Sequence, residues 1–202
     1  MSIARRSLVA TAATLPIQPW LKAFAAQPDS GSDNLVLTRV SGSETDMLPG
    51  AGWRGFSDRV MGGVSNANLD QDIVAGKSCL RLSGNVTRES NGGFIQMALY
   101  FGRNYDELDA SDYSGVELLV HGNNEDYNVH IRTSDCGWHD ESYRHTLFVP
   151  AKWQRVRIPW QDFTANKVNK PLDPSSLQRI ALLGWMREFE ADIALAEISL
   201  YS

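Results

Sequence analysis

The sequence predicts an all-β protein that folds as a sandwich or a barrel. About ten short strand-like segments follow one another, with turn residues roughly every 8–12 positions, and this spacing is typical of that fold class. Helical signals are almost absent: the one helical turn that we predict starts after Asp173, which caps it, with Pro174 at its first position. Two loops with paired glycines, Ser57–Ser65 and Glu89–Phe94, separate strand-like segments. Neighbouring glycines suit backbone positions with positive φ, so we expect both loops to be tight and well defined.

The first five predicted strands are Leu35–Val40, Asn68–Val74, Ser78–Gly84, Gly93–Phe101 and Val116–His121. Ser78–Gly84 alternates apolar and polar residues, which indicates one buried face. Gly93–Phe101 follows directly on the second glycine loop, and Val116–His121 is closed by a Gly-Asn-Asn turn. Asn68–Val74 has the weakest pattern of the five.

The last five predicted strands are Tyr127–Thr133, Tyr143–Val149, Trp153–Pro159, Gln178–Met186 and Asp192–Tyr201. The first and the third of these alternate strongly, and a proline ends the second. Antiparallel strands with one buried face explain this alternation.

The chain divides into three parts. Residues 1–26 have basic but no acidic residues, an apolar middle too short and broken for a membrane span, and an Ala23-Phe24-Ala25 end suited to a signal peptidase. With the pair Arg5-Arg6 they resemble a twin-arginine export signal, which predicts a periplasmic protein. A mitochondrial transit peptide is the alternative, because such peptides are also poor in acidic residues. Residues 27–45 form a linker and the first strand, and residues 46–202 form the β-sandwich domain.

Charge and motifs argue against several classes of function. The formal net charge is −5 and no Lys/Arg cluster is present, so we expect no nucleic-acid partner. Gly-x-Ser-x-Gly and His-Glu-x-x-His motifs are absent, and we expect neither an enzyme nor a cofactor. The densest group of candidate metal ligands, between His130 and His145, has no recognised spacing, so we expect no metal site. The sequence leaves open whether Cys79 and Cys136 form a disulfide.

Two of the predicted strands have polar residues on one side. His130 and Arg132 share a face of one strand, and Arg155 and Arg157 share a face of the other. We expect these four side chains to form a polar sheet face that binds sugars or a protein strand, with aromatic rings beside it. The flanking aromatic residues are Trp138, Trp160 and Trp185. A solvated outer face above buried tryptophans is the other interpretation.

Several motifs follow one another along nearly the whole β domain. They are Ser57-Asp58-Arg59-Val60-Met61-Gly62-Gly63-Val64-Ser65, Asn91-Gly92-Gly93-Phe94, Asp112-Tyr113-Ser114-Gly115-Val116 and the segment Trp153–Phe163. In this order they resemble the complex I (NADH:ubiquinone oxidoreductase) intermediate-associated protein 30 domain family. The resemblance implies a jelly-roll β-sandwich that is similar to galactose-binding and carbohydrate-binding modules. It also implies a role like that of the mitochondrial members, which are assembly chaperones for respiratory complex I, whereas bacterial and plant relatives have other or unknown roles.

We expect a non-enzymatic, chaperone-like binding module that docks a partner protein, such as a respiratory-complex subunit, through the two glycine loops. The expected contact residues are Asp58, Arg59, Met61, Gly62, Gly63, Ser65, Asn91, Gly92, Gly93 and Phe94. Backbone N–H groups around paired glycines can form an anion-binding nest. In the simpler interpretation the two loops pack on each other and determine the fold. An exported carbohydrate-binding module that uses exposed tryptophans is the alternative function.

Overall fold

Thirteen antiparallel strands form two sheets in the computed structural model, which describes residues 34–104 and 106–202. In this part of the chain the helical segments are short 3₁₀ turns. The prediction of an all-β, jelly-roll sandwich is therefore confirmed. The predicted export signal, residues 1–26, lies outside the described residues.

The first sheet has seven strands arranged around its long C-terminal strand. Its strands are β1 (Leu35–Ser41), β2 (Glu44–Met47), β4 (Asn68–Val74), β5 (Lys77–Val86), β7 (Gly115–His121), β10 (Gln154–Pro159) and β13 (Phe189–Tyr201). β7 pairs with one edge of β13, while β5 and β1 share its other edge. β4 and β5 form a hairpin whose two turn residues, Ala75 and Gly76, both have positive φ, as a two-residue turn of type I′ requires.

The second sheet has six strands and carries the candidate site. Its strands are β3 (Gly52–Ser57), β6 (Phe94–Tyr100), β8 (Glu125–Thr133), β9 (Ser142–Val149), β11 (Thr164–Asn166) and β12 (Leu177–Trp185). They lie in the order β11-β9-β8-β12-β6-β3, so most neighbours in the sheet are distant in sequence.

The hydrophobic core lies between the two sheets. Leu118 and Ile193 of the first sheet are buried against Ile95, Ile131 and Leu182 of the second. Each such side chain contributes about 1.5–3 kcal/mol through its removal from water. Because side chains alternate along a strand, the residues between these positions point away from the core. On the six-stranded sheet, that outer face forms a groove.

The structure corrects the prediction of one shared polar face. His130 and Arg132 lie on β8 in the six-stranded sheet, whereas Arg155 and Arg157 lie on β10 in the seven-stranded sheet. The alternation within each strand is local and could be predicted. The pairing of strands is not local, and alternation carries no information about it.

Three short strands, β2, β3 and β11, are not among the predicted ones. They are polar, interrupted by glycine or only three residues long. β1 pairs with β13. The sandwich therefore includes the first strand, which the sequence alone places with the linker in residues 27–45. The predicted helical turn is present as the 3₁₀ turn Pro174–Ser176, with Oδ1 of Asp173 accepting the N–H of Ser175.

Cys79 and Cys136 are both buried and free. Across residues 34–104 and 106–202, no group of three His, Cys, Asp or Glu side chains is placed to hold a metal ion. No helix in the described part of the chain has the length and hydrophobicity needed to cross a membrane.

Candidate ligand-binding groove

A buried carboxylate joins the two glycine loops. Asp58 directly follows β3 and is only 1% exposed. Its Oδ1 accepts the backbone N–H of Ser65 (2.9 Å), and its Oδ2 accepts the Ser65 hydroxyl (2.5 Å) and the backbone N–H groups of Gly93 (2.6 Å) and Phe94 (3.2 Å). Burial alone would raise the pKa of Asp58, but these hydrogen bonds outweigh it and hold the pKa below its ordinary value. One side chain therefore binds the first loop to the second.

The glycines of both loops make room for this carboxylate. A Cβ atom added at Gly63 or at Gly92 would overlap the Asp58 side chain. Gly62 has a φ of 90° and Gly93 a φ of 140°, conformations that residues with a side chain rarely adopt. Packing against Asp58 accounts for Gly63 and Gly92, and positive φ accounts for Gly62 and Gly93, in keeping with the interpretation that the two loops pack on each other.

The accessible surface of the first loop comes from other residues. Arg59 closes this loop, because its Nε donates to the carbonyl of Ser65 (3.0 Å) and its Nη2 to Oδ1 of Asn66 (2.7 Å). Val60 and Met61 are 68% and 59% exposed. These two apolar side chains, rather than Asp58, are what a partner would meet.

Beside the loops, the outer face of the six-stranded sheet forms a groove of about 800 Å³. Beneath it, Ala98 on β6 and Ala181 on β12 pair with each other, and both are buried. Ala98 also pairs with Arg54, and Ala181 also pairs with His130, which in turn pairs with Arg144. A single row across five strands therefore has two alanines in its middle and an arginine at each end.

Aromatic side chains form the end of the groove next to the glycine loops. Phe56 meets Phe94 edge-on, with ring centroids 6.2 Å apart, and Phe94 lies 5.9 Å from Trp185. Met61 and Met186 border the same end. This end offers apolar surface to a ligand, in an arrangement usual for aromatic clusters.

Arginine side chains lie beside two aromatic rings of the groove, Tyr100 and Trp185. The guanidinium of Arg54 lies 4.7 Å from the centroid of the Tyr100 ring. Arg179 lies 5.4 Å from the same centroid and donates from Nη1 to the Tyr100 hydroxyl (2.9 Å). Arg144 lies 4.7 Å from the centroid of Trp185. The rings support cations through cation–π contacts, so a ligand that enters here meets guanidinium groups.

His130 lies in the floor of the groove and is 5% exposed. Its ring centroid is 4.9 Å from that of Trp185, and its Nε2 has no hydrogen-bond partner among the described residues. Burial, together with the charges of Arg144 and Arg179, lowers the pKa of His130 to about 3. The imidazole is therefore neutral near pH 7, and its buried Nε2 is left without a hydrogen-bond partner among the described residues.

Of the three tryptophans predicted to flank a binding face, Trp185 lines the groove and the other two do not. Trp138 is 72% exposed on the loop between β8 and β9. Trp160 follows β10, and its indole N–H donates to the carbonyl of Tyr113 (2.7 Å). Arg132 does line the groove, where its guanidinium donates to three backbone carbonyls of the β8–β9 loop and fixes that loop.

Sequence reasoning did not find Arg54, Tyr100, Arg144 or Arg179 as groove residues. β6 and β12 are buried on both faces over most of their length, so their patterns do not reveal an outward side. The one usable signal is that Arg144 and Arg179 are charged residues within strand-like segments.

Comparison with known proteins gives a family and a fold. Residues 43–193 match the family described as Complex I intermediate-associated protein 30 (CIA30). No curated protein sequence matches the chain. The family 11 carbohydrate-binding module from Clostridium thermocellum, in complex with a β-1,3-1,4-mixed-linked tetrasaccharide, superimposes with a TM-score of 0.64 at 11% identity, over 86% of this chain and 98% of that chain. A family 30 carbohydrate-binding module superimposes with a TM-score of 0.58 at 20% identity, over 84% and 87%.

At these identities the two modules share the fold with this chain, whereas the family match concerns the sequence itself. The matched residues include both glycine loops and Asp58, which joins them. They also include every strand of the six-stranded sheet. The chain therefore belongs to the complex I intermediate-associated protein 30 family.

Proposed function

We propose that this chain is a non-catalytic binding module and that its ligand is a glycan held in the groove of the six-stranded sheet. The observation that carries the proposal is the groove, whose volume of about 800 Å³ falls in the range of roughly 300–1,000 Å³ that is usual for ligand sites. It combines an aromatic end with polar groups that have no partner in the described structure.

Glycans have the matching chemistry. The C–H faces of sugar rings pack on aromatic side chains, and sugar hydroxyls require hydrogen-bond partners. Phe94 and Trp185 supply the first kind of surface, and Gln96 and His130 line the groove with the second kind. The carbohydrate-binding module of similar fold that was solved with a tetrasaccharide makes glycans the first ligands to test.

The carboxylates that line the groove support a role in binding rather than in hydrolysis. Glycoside hydrolysis uses a pair of carboxyl groups, one on each side of the scissile bond. Asp58 is buried with four hydrogen bonds, and Asp140 pairs with Lys167 (2.5 Å). Among the described residues that line the groove, these two are the acidic ones, and both are engaged.

Affinity electrophoresis in gels that contain soluble polysaccharides tests the proposal. We expect the protein to be retarded by at least one polysaccharide and Trp185→Ala to weaken binding at least about tenfold, or roughly 1.4 kcal/mol. Trp138→Ala is the matched control, because it removes an equally large ring that lies outside the groove. Binding that depends on Trp138 and not on Trp185, or no retardation by any polysaccharide, would refute the proposal.

A second candidate function is the docking of a partner protein at the glycine-loop end. Exposed apolar side chains favour it: Val60, Met61 and Met186 are 68%, 59% and 45% exposed. The family description makes subunits of respiratory complex I the partners to test. We expect the double variant Val60→Ser/Met61→Ser to lose binding to a purified subunit without a change in thermal unfolding. Binding that survives this variant would contradict docking at this surface.

We further propose that the protein is exported to the periplasm. The support is the basic and apolar pattern of residues 1–26 with its Ala23-Phe24-Ala25 end. N-terminal sequencing of the protein from a periplasmic fraction should find a mature chain that starts shortly after Ala25. A full-length chain in the cytoplasm, or a mitochondrial location, would contradict export.

A further inference from the structure

The groove concentrates positive charge on a chain that is acidic in total. The formal net charge is −5, yet Arg54, Arg132, Arg144 and Arg179 all line the groove. Among the described residues, none of these four arginines has a carboxylate within 4.0 Å. The guanidinium groups of the groove therefore form no ion pair with a protein carboxylate.

The outer face of the opposite sheet is built differently. There Glu117 accepts from both Arg155 (2.8 Å) and Arg157 (2.7 Å), and Glu197 accepts from both Arg39 (2.6 Å) and Arg155 (3.0 Å). Each arginine of that row has a carboxylate beside it. The chain thus neutralises arginines on one sheet and leaves them without counter-charges on the other.

Several groups in the groove are also held in unfavourable surroundings. Burial, and for Arg132 also the nearby charge of Arg179, lowers the pKa of Arg132 and of Arg144. Nε2 of the buried His130 and Nε of Arg179 have no hydrogen-bond partner among the described residues. Buried polar groups are normally paired, so two unsatisfied nitrogen atoms just beneath the groove surface are unusual.

The arginines occupy two positions along the groove. Arg54 and Arg179 lie at the Tyr100 ring, whereas Arg144 lies at the Trp185 ring. The backbones of Arg54 and Arg144 share one row across the sheet but are four strands apart, or about 19 Å at roughly 4.8 Å per strand. A ligand that reaches both positions is an extended one.

From these observations, and resting on the proposed glycan-binding function, we infer that the groove selects an acidic oligosaccharide. Its carboxylate or sulfate groups accept hydrogen bonds from Arg54, Arg144 and Arg179, while a sugar ring packs at the Trp185 end. Guanidinium groups suit such ligands, because their planar N–H donors match the geometry of carboxylate and other oxyanion groups. The missing counter-charges of the groove then come from the ligand.

Isothermal titration calorimetry of the full chain tests this inference with four defined ligands. They are an oligogalacturonate, a sulfated oligosaccharide, the neutral β-1,3-1,4-linked tetrasaccharide and a polyglutamate peptide of matched charge. We expect one of the two acidic oligosaccharides to bind at least tenfold more tightly than the neutral one, and the stronger of the two identifies the acidic group. We also expect its affinity to fall about tenfold or more between 50 and 500 mM salt, because exposed charges are then screened.

Variants with matched charge locate the effect. Arg144→Gln/Arg179→Gln should reduce the preference for the acidic oligosaccharide to less than threefold. Arg88→Gln/Lys152→Gln removes the same charge from exposed positions outside the groove and should leave the preference unchanged. Arg144 also donates hydrogen bonds to neighbouring protein groups, so its replacement could affect folding. Arg54→Gln is therefore added, because the Arg54 side chain makes no hydrogen bond in the described structure. This variant should weaken the binding of acidic ligands without affecting folding.

The outcomes separate this inference from the proposed function. Equal affinity for the neutral and acidic oligosaccharides, lost in Trp185→Ala, overturns the inference and leaves the glycan proposal standing. Tight binding of polyglutamate alone overturns the assignment to glycans. No binding of either acidic oligosaccharide overturns the inference, and it overturns the glycan proposal as well if no polysaccharide retards the protein.

Discussion

Removal of the Asp58 carboxylate tests whether this side chain holds the two glycine loops together. In Asp58→Ala, four donors lose their acceptor: the N–H and hydroxyl of Ser65 and the N–H groups of Gly93 and Phe94. A buried donor without a partner costs about 1–3 kcal/mol. Such costs are not additive, because water enters the space left behind, so we expect the free energy of unfolding to fall by about 3–5 kcal/mol.

Asp58→Asn is the finer perturbation. The amide keeps the shape of the carboxylate, but it offers one acceptor oxygen and turns a donor NH₂ toward backbone N–H groups. We expect a smaller loss, about 2–3 kcal/mol. Asp46→Ala is the control, since Asp46 is exposed on β2 and its side chain makes no hydrogen bond in the described structure, and it should change stability by less than about 0.5 kcal/mol.

Guanidinium chloride unfolding at pH 7.5, followed by tryptophan fluorescence, measures these differences. The native pKa of Asp58 is lowered, so the stability that its carboxylate contributes is present above the unfolded-state pKa of about 3.9 and is lost as the pH falls through the native pKa. The gap between the wild type and Asp58→Asn should therefore shrink in strong acid. If Asp58→Ala unfolds within about 1 kcal/mol of the wild type, the carboxylate does not hold the loops together.

Three further outcomes are expected. In the same denaturant titration, Gly92→Ala should lower the free energy of unfolding by at least about 2 kcal/mol, because its Cβ would overlap Asp58. Gly52→Ala is the control and should leave the free energy of unfolding nearly unchanged, because a Cβ at Gly52 would have no atom within 4 Å. His130 has a native pKa of about 3, whereas its pKa in the unfolded chain is about 6.5, so the ring takes up a proton on unfolding at acidic pH. When the pH is lowered from 7.5 to 5.0, the free energy of unfolding of the wild type should therefore fall by about 2 kcal/mol more than that of His130→Gln. Equal decreases would contradict the burial of a neutral ring. Arg132→Gln should speed amide hydrogen exchange in the β8–β9 loop, whose carbonyls Arg132 holds, and unchanged exchange there would argue against that role.

The sequence predicts the sandwich well because its evidence is local. Alternation along Tyr127–Thr133 and Trp153–Pro159 depends on neighbouring residues alone, and both segments are strands. The groove depends instead on which strands adjoin. Arg54 and Arg144 lie in the same row of the sheet although they are far apart in the chain, and no single-strand pattern records that arrangement.

The glycine loops show a second kind of limit. The motif draws attention to Asp58, but an aspartate beside a serine, an arginine and two glycines resembles an exposed turn residue. Its burial follows from the approach of the second loop, more than thirty residues later, whose N–H groups need an acceptor. The sequence therefore shows where a charged residue lies in a motif, while tertiary contacts decide whether its side chain is buried or exposed.

A ¹⁵N NMR titration of the labelled full chain with an acidic oligosaccharide tests the central proposal most directly. Indole N–H signals are natural reporters, because Trp185 lines the groove whereas Trp153 and Trp160 donate to backbone carbonyls elsewhere. We predict saturable shifts of the Trp185 indole and of the Ala98 and Ala181 amides, with the other two indoles unmoved. Shifts at Trp153 or Trp160 while Trp185 stays unchanged would show that the ligand binds outside the groove.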